Sequence, residues 1–230
     1  MKRPQDGAVL DWWERARTLP PLERALHLLA LFVDAGAEAI ADWPIGRRDR
    51  ALLAARAMLI GPEICATAAC PACGTEVEAA FDAAAIAVDD PAENEAALES
   101  GIRLRAATSR DLALALASPE PRLALAQACV VAGAPRKRGW SEALLAEAAA
   151  ALQALDPQAD IRLRLTCTEC AAPWSAPLFV EPFLWREMAG WARARFDEVD
   201  RLARAYGWRE ADVLALSPQR RRTYLALAAA

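Results

Sequence analysis

The sequence predicts a mainly helical α+β fold in which distant segments of the chain meet in a small β element. The composition is rich in the helix formers Ala, Leu, Arg and Glu. Two Cys-x-x-Cys pairs stand far apart, and short segments of alternating apolar and polar residues adjoin them. The 230 residues, of which 55% are hydrophobic, are enough to bury a core in one large or two small domains.

The N-terminal part of the chain predicts two helices. A helix over 22–33 begins behind two prolines and carries an apolar stripe at helical spacing. A second helix over 47–60 stops at a Gly-Pro step. We therefore assign residues 1–45 to an N-terminal helical segment and residues 46–230 to one larger domain.

The middle of the chain predicts a strand followed by a helical insertion. Residues 102–105 alternate between apolar and basic side chains, as half-exposed strands do. Thr108 begins a helix-capping pattern, and helices are predicted over 109–133 and 141–155. The insertion therefore covers 109–155.

The C-terminal part, residues 183–228, is predicted to be helical. A long helix over 183–206 ends at Gly207, a residue suited to a left-handed helix cap. A short helix follows over 209–216. Ser217, as an N-cap with a proline behind it, begins the last helix.

The two cysteine pairs are the strongest chemical signal of the sequence. Four thiolates complete the tetrahedral shell of a Zn²⁺ ion and leave no position open to a substrate, so we predict structural zinc. The pairs stand much further apart than the roughly 12–20 residues of a compact zinc module, so a shared ion would join distant segments. The predicted ligands are Cys70, Cys73, Cys167 and Cys170.

A zinc ribbon is predicted from the segments around these pairs, 66–82 and 161–179. The first contains an alternating strand at 76–82, and the second begins with another at 161–165. The long insertion between them costs little in loop-closure entropy. The pairs could share an ion within one chain or bind metal between subunits. A redox role is the main rival, but it expects the first cysteine of a pair at a helix start.

Charge and hydropathy disfavour several classes of protein. The net charge of −4 makes a nucleic-acid binder driven by bulk electrostatics unlikely. No stretch approaches the roughly 20 apolar residues of a membrane span, and no apolar signal region follows the first charged residues. We therefore expect a soluble, cytoplasmic protein without a membrane partner, in which cysteine pairs bind metal rather than form disulfides.

The remaining reactive residues predict no catalytic site, and we expect a protein that is not an enzyme. His27 is the single histidine and is predicted on a helix surface, which disfavours Ser-His-Asp and multi-histidine metal arrangements. Neither a phosphate-binding loop nor a nucleophile elbow is present. Cys65 and Cys129 are predicted as buried core thiols.

Two surfaces could contact partners. The basic runs Arg136–Arg138 and Arg220–Arg222 are predicted as solvated turns or helix faces. A zinc-ribbon regulator that binds nucleic acid through them is the alternative function. Tryptophan is enriched in protein–protein contacts, and of the eight tryptophans we favour Trp12 and Trp13 as a partner-binding site.

Several short motifs follow one another in an informative order. They are Gly61-Pro62, Cys70-Pro71-Ala72-Cys73-Gly74, the stretch 103–112, Asp156-Pro157, Phe183-Leu184-Trp185-Arg186-Glu187, Tyr206-Gly207-Trp208, and Leu216-Ser217-Pro218 followed by Arg220, Arg221 and Tyr224. Over about residues 46–228 this order resembles the T4-type baseplate hub assembly chaperones of contractile phage tails and phage-tail-like injection systems. The resemblance implies a non-enzymatic protein that binds baseplate hub or spike subunits during assembly. It adds no catalytic residues, and only the four cysteines carry over.

Overall fold

The protein has an α+β fold, described by a computed structural model for residues 1–88, 95–133 and 139–229. The helices of the described residues are α1 Asp6–Ala16, α2 Pro21–Leu29, α3 Ala37–Ile40, α4 Ile45–Leu59, α5 Ser109–Leu116, α6 Pro121–Ala128, α7 Glu142–Leu155, α8 Val180–Tyr206, α9 Glu210–Ala215 and α10 Pro218–Ala228. The strands are β1 Glu63–Ala69, β2 Glu76–Asp82, β3 Glu95–Ala97, β4 Arg103–Arg105, β5 Val130–Ala132, β6 Arg162–Thr166 and β7 Pro173–Pro177. Short 3-10 helices cover Ala83–Ile86 and Pro157–Ala159. The predicted mainly helical α+β class is confirmed.

The chain divides into two compact units that differ from the predicted domains. The terminal unit combines Met1–Ala37 with Glu181–Ala230, and the central unit is Glu38–Val180. The predicted boundary between residues 45 and 46 is therefore corrected, because the C-terminal helices belong with the N-terminal ones. Local sequence patterns cannot reveal such an association, which depends on contacts between the two ends of the chain.

A buried ion cluster joins the two ends of the chain within the terminal unit. The Arg221 guanidinium is only 1% exposed and pairs with the carboxylate of Asp6 at the start of α1. It also lies 2.9 Å from a carboxylate oxygen of Glu198 on α8 and donates to the Leu216 carbonyl at 2.9 Å. The prediction of a solvated basic face at Arg220–Arg222 is therefore wrong for its middle residue.

Three small antiparallel sheets lie in the described part of the central unit. Strands β1 and β2 form one hairpin, β6 and β7 form a second, and β3, β4 and β5 form a three-stranded sheet. A core of buried side chains packs around the three-stranded sheet, α6 and α7. Its members are Leu98, Ile102, Leu104, Ala126, Cys129 and Ala148.

Asp156 lies a few residues before the second hairpin, β6–β7, and holds the start of the distant helix α4. Its carboxylate accepts a hydrogen bond of 2.8 Å from the N–H of Gly46, in the first turn of α4. A Cβ on Gly46 would lie 1.8 Å from an Asp156 carboxylate oxygen, so this close approach needs glycine. Nearby, the Gln158 side chain accepts from the N–H of Val88 at 2.6 Å. These contacts hold the segment that leads into β6.

Two predicted helices differ from the observed ones, and one observed strand was not predicted. The single helix predicted over 109–133 is wrong: Pro121 begins a separate helix, and β5 pairs with β4 instead of continuing it. Strand β1 was not predicted, because its alanine-rich sequence has low strand propensity. The helix predicted over 22–33 ends at Leu29.

Two further predictions concern the basic run Arg136–Arg138, expected to be solvated, and the absence of a membrane-spanning segment. Arg136–Arg138 lie outside the described residues. Each helix in the described part of the chain is too short or too polar to cross a membrane.

Candidate metal centre

The four predicted cysteine ligands meet at one point in the central unit. Their Sγ atoms all lie within 4.8 Å of one another. The Cys70 and Cys170 sulfurs are 3.7 Å apart, and the Cys73 and Cys167 sulfurs are 3.5 Å apart. A tetrahedral ion with metal–sulfur bonds of about 2.3 Å requires sulfurs about 3.8 Å apart. The sulfur arrangement therefore fits one ion within a single chain.

Each cysteine pair lies in the turn of a β-hairpin, between β1 and β2 or between β6 and β7. In the first turn the N–H of Gly74 donates to the Cys70 carbonyl at 2.8 Å. In the second turn the N–H of Ala171 donates to the Cys167 carbonyl at 3.1 Å. In both turns, the N–H of the first cysteine donates to the carbonyl five residues further on. The two turns thus fold in the same way around their sulfurs.

The residue after each cysteine pair adopts a left-handed backbone conformation. Gly74 has a φ of +78°, and Ala171 has a φ of +57°. Glycine adopts such angles freely, whereas a side chain at this position is strained. Ala171 is the one non-glycine residue with positive φ in the described part of the chain. The second turn therefore tolerates local strain at a position where the first turn has glycine.

One side of the cysteine cluster is covered and the other is open to solvent. Cys70 and Cys167 are 2% and 3% exposed, whereas Cys73 and Cys170 are exposed. Apolar side chains pack around the two buried sulfurs. They are Val77, Ala172 and Trp174. A bound ion would be held from the apolar side and would remain within reach of chelators on the other.

Hydrogen bonds in the cluster separate the acidities of its thiols. The Thr75 hydroxyl, 3.4 Å from the Cys73 sulfur, and the Thr75 backbone lower the pKa of Cys73 to about 6. The N–H of Ala172 lowers the pKa of Cys170, but contacts with the Cys73 and Cys167 thiols outweigh it and raise that pKa to about 12. Metal ions bind cysteine as thiolate, so a divalent ion would displace the remaining thiol protons.

The hairpin setting disfavours the redox interpretation of the cysteine pairs. Thiol–disulfide oxidoreductases lower the pKa of the attacking cysteine with a helix N-terminus. Neither pair stands at a helix start, because both lie between antiparallel strands. The geometry instead suits a closed, structural metal site of four thiolates.

The two other cysteines and the histidine have different environments. Cys129 is 0% exposed in the core beside β5, as predicted, and burial raises the pKa of its thiol to about 11. Cys65 is exposed on β1, so its predicted burial is wrong. Alternation along the strand directs Ile64 inward and its neighbour Cys65 outward. His27 is exposed on α2, as predicted.

Trp12 and Trp13 lie on α1 and have different degrees of burial. The Trp12 ring is 4% exposed and packs edge to face with Trp185, with ring centres 6.0 Å apart. Trp12 therefore offers almost no surface, and the predicted partner contact is corrected for this residue. Trp13 is partly buried beside Phe196, 6.4 Å away, with the Arg17 guanidinium 5.7 Å from its ring centre. A partner contact of Trp13 stays a prediction.

Two residues of the metal centre were not assigned from sequence. Thr75 approaches Cys73, and Trp174 packs beside the buried sulfurs. For Trp174 the spacing in sequence is a usable signal, because Val77 and Trp174 each stand four residues after the second cysteine of a pair. Matching positions in two equivalent hairpins point to the same wall of the site.

Comparison with protein-family models, with curated proteins and with solved structures gives no match for this chain. Fold and site together define a class, an α+β protein with a four-cysteine cluster that could hold a metal ion.

Proposed function

We propose that this protein is a non-enzymatic assembly chaperone or minor component of the baseplate hub in a contractile, phage-tail-like injection system. The observation that carries the proposal is the four-cysteine cluster. Four thiolates fill the shell of a zinc ion, so the metal would stabilise the fold and leave function to the surfaces of the protein. The choice of a contractile injection system comes from the ordered motifs over about residues 46–228, which resemble those of baseplate hub assembly chaperones.

Zinc is the metal that suits this donor set best. Tetrahedral sites with four sulfur ligands select zinc or iron. Both cysteine turns are short hairpins that approach one ion from two sides, as in structural zinc sites. The ion would fasten β1–β2 to β6–β7 across a separation of 94 positions between Cys73 and Cys167. Hub or spike subunits would then bind a surface of the folded protein.

Native mass spectrometry of the purified chain, before and after chelation, tests the metal. We expect one zinc ion per chain, lost with chelator. The matched control is the Cys65→Ser variant, which removes an exposed thiol of the same hairpin outside the cluster and should keep the ion. A metal-free protein with disulfides inside each Cys-x-x-Cys pair would contradict structural zinc and support the redox interpretation.

Deletion of the gene in a strain that produces such particles tests the assembly role. We expect the loss of sheathed, spike-bearing particles while the hub subunits are still expressed. Complementation with the Cys65→Ser variant should restore particles, and complementation with Cys70→Ser should not. Normal particles in the deletion strain would exclude the role.

The alternative, a nucleic-acid-binding regulator, has less support. Arg221 is buried against Asp6 and is unavailable to phosphates, and the net charge is −4. Retention on a nucleic-acid column at low salt, falling steeply as salt rises, would favour the alternative. Elution in the void volume at low salt is the outcome we expect.

A further inference from the structure

Three aromatic rings meet where α8 ends and α10 passes it in the terminal unit. The rings of Tyr206 and Trp208 stack with centres 4.8 Å apart and planes 25° apart. Tyr224 lies edge to face with both, at 4.8 Å from Trp208 and 5.8 Å from Tyr206. The Tyr206 hydroxyl donates to the Tyr224 carbonyl at 3.3 Å. The left-handed Gly207, with a φ of +70°, makes the sharp turn between two of the rings.

This aromatic cluster continues into exposed apolar surface. Tyr206 is 38% exposed, and Leu227 on α10 is 62% exposed. Arg220, Tyr224 and Leu227 recur at i, i+4 and i+7, so they share one face of α10. We call the surface formed by Tyr206, Trp208, Arg220, Tyr224 and Leu227 the C-terminal surface.

The charge of α10 is unbalanced, in contrast to that of α8. No acidic residue occurs between positions 213 and 229. Among the described residues neither Arg220 nor Arg222 forms an ion pair, and both are exposed. On α8, by contrast, Arg204 pairs with Asp200 at 3.0 Å and Arg201 pairs with Asp197 at 4.0 Å. The C-terminal surface thus carries positive charge beside apolar area in a chain whose net charge is −4.

The ring geometry favours a protein segment over nucleic acid as the occupant. Single-stranded nucleic acids bind aromatic residues by stacking bases on open ring faces. Here Tyr206 and Trp208 cover one face of each other, and Tyr224 packs against both rings. Apolar edges and exposed leucine remain, which suit aliphatic or aromatic side chains.

We propose that the C-terminal surface docks an acidic segment of a partner protein that carries an aromatic or aliphatic anchor residue. The anchor packs against Tyr206 and Leu227, and the acidic residues lie beside Arg220. Apolar anchors supply most of the binding energy in such contacts, and complementary charge supplies orientation and association rate. This inference deepens the proposed function, because it names the surface and the chemistry of the segment that binds it.

Fluorescence anisotropy with the full chain and two labelled synthetic peptides tests the proposal. The first peptide alternates Asp or Glu with Phe or Leu, and the second replaces every acidic residue with Lys. We expect the acidic peptide to bind at least about tenfold more tightly than the basic one. Arg220→Glu and Leu227→Ser should each weaken it about tenfold.

Arg204→Glu is the matched control, because it changes the net charge of the chain by the same amount as Arg220→Glu. Arg204 itself lies on α8 and forms an ion pair with Asp200. We expect this substitution to leave peptide binding within about twofold. Circular dichroism should show unchanged helix content in all three variants, since the altered side chains of Leu227, Arg204 and Arg220 are exposed.

Several results would overturn the proposal. They are no binding of the acidic peptide, equal binding of both peptides, and equal weakening by Arg204→Glu and Arg220→Glu. If a single-stranded oligonucleotide binds more tightly than the acidic peptide, and Arg220→Glu abolishes the oligonucleotide binding, the surface would be assigned to nucleic acid instead. The probes contain no hub subunit. If the protein binds hub subunits but not the acidic peptide, the hub contact lies on another surface and the C-terminal surface proposal is wrong. If it binds the acidic peptide but no hub subunit, only the proposed function is overturned.

Discussion

At the residue scale, the position after each cysteine pair must turn the backbone into the left-handed region. Gly74 does so without a side chain, whereas Ala171 does so with one. For L-residues this conformation brings Cβ close to a neighbouring carbonyl oxygen. Two turns of the same shape therefore differ in local strain, and the difference can be measured with single substitutions.

Replacing Ala171 with glycine should stabilise the protein. The substitution relieves Cβ strain at a φ of +57°, and we expect a gain of roughly 0.5–1 kcal/mol in the free energy of unfolding. Gly74→Ala is the mirror control and should lower stability. Urea denaturation of zinc-loaded protein measures both. An Ala171→Gly variant less stable than the parent chain would show that the turn is not strained.

Replacing Cys70 with serine should remove the metal. Its sulfur is buried and lies 3.7 Å from that of Cys170, so an alcohol there leaves the shell incomplete. Metal binding contributes about 10 kcal/mol or more in zinc-finger peptides, so we expect a large loss of stability. Inductively coupled plasma mass spectrometry gives the zinc content and urea denaturation gives the stability. Cys65→Ser should match the parent chain, and stoichiometric zinc in Cys70→Ser would exclude the shared site.

At the element scale, the connection from β4 to α5 is held by a charged capping box. Arg105 donates to both carboxylate oxygens of Asp111, at 2.6 and 3.0 Å. Thr108 caps the helix, and its N–H donates to Asp111 at 2.8 Å. Burial raises the pKa of Asp111, but the hydrogen bonds from Arg105 and Thr108 together lower it by more than burial raises it. The pKa of this carboxyl is therefore below its usual range.

Asp111→Asn should lower stability near neutral pH and flatten its decline in acid. The folded pKa of Asp111 is lower than the unfolded value of about 3.9. Its contribution is therefore present above about pH 4 and is lost as the pH falls through the folded pKa. We expect a loss of roughly 1–3 kcal/mol at pH 7, because hydrogen bonds to a charged carboxylate disappear. Urea denaturation at pH 7, 4 and 3 provides the comparison.

Asp160→Asn is the control for this substitution. Asp160 lies 3.2 Å from the Arg162 guanidinium, but both side chains are exposed, and exposed pairs contribute about 0–1 kcal/mol. Equal losses at pH 7 in the Asp111→Asn and Asp160→Asn variants would contradict a special role of the capping box.

At the scale of the whole molecule, stabilising groups are distributed unevenly. The terminal unit contains the buried ion cluster around Arg221. The central unit has an apolar core beside its three-stranded sheet and a separate, much smaller cluster around the cysteines. Two-stranded hairpins are marginally stable by themselves, so we expect a bound metal to stabilise the cysteine hairpins more than it stabilises the three-stranded sheet.

Chelation should therefore loosen the two hairpins first. We expect amide protection from hydrogen exchange to fall over 63–82 and 162–177 when zinc is removed, because few apolar contacts remain there. Strands β3 to β5 should keep their protection through their own core. Hydrogen-exchange mass spectrometry with and without chelator measures this, and added zinc should restore the original pattern. Uniform loss of protection across the central unit would show that the metal stabilises the whole unit cooperatively.

Local signals in the sequence determined the helical character, most helix ends and the four candidate metal ligands. Thr108 and Ser217 cap the helices that they were predicted to begin, because capping depends on residues within one turn. The cysteine turns were identified because their ligand spacing is a property of short segments. Strand β1 escaped detection, since its stability comes from pairing with β2 rather than from its own residues.

Only the tertiary structure decided which distant residues meet. It brought the Cys70 and Cys170 sulfurs to 3.7 Å, placed Cys65 at the surface, and buried Arg221 against Asp6 from the opposite end of the chain. A basic run in sequence looks the same whether its side chains are solvated or paired. Contacts between residues far apart in the chain depend on packing of the whole fold, and no local pattern encodes them.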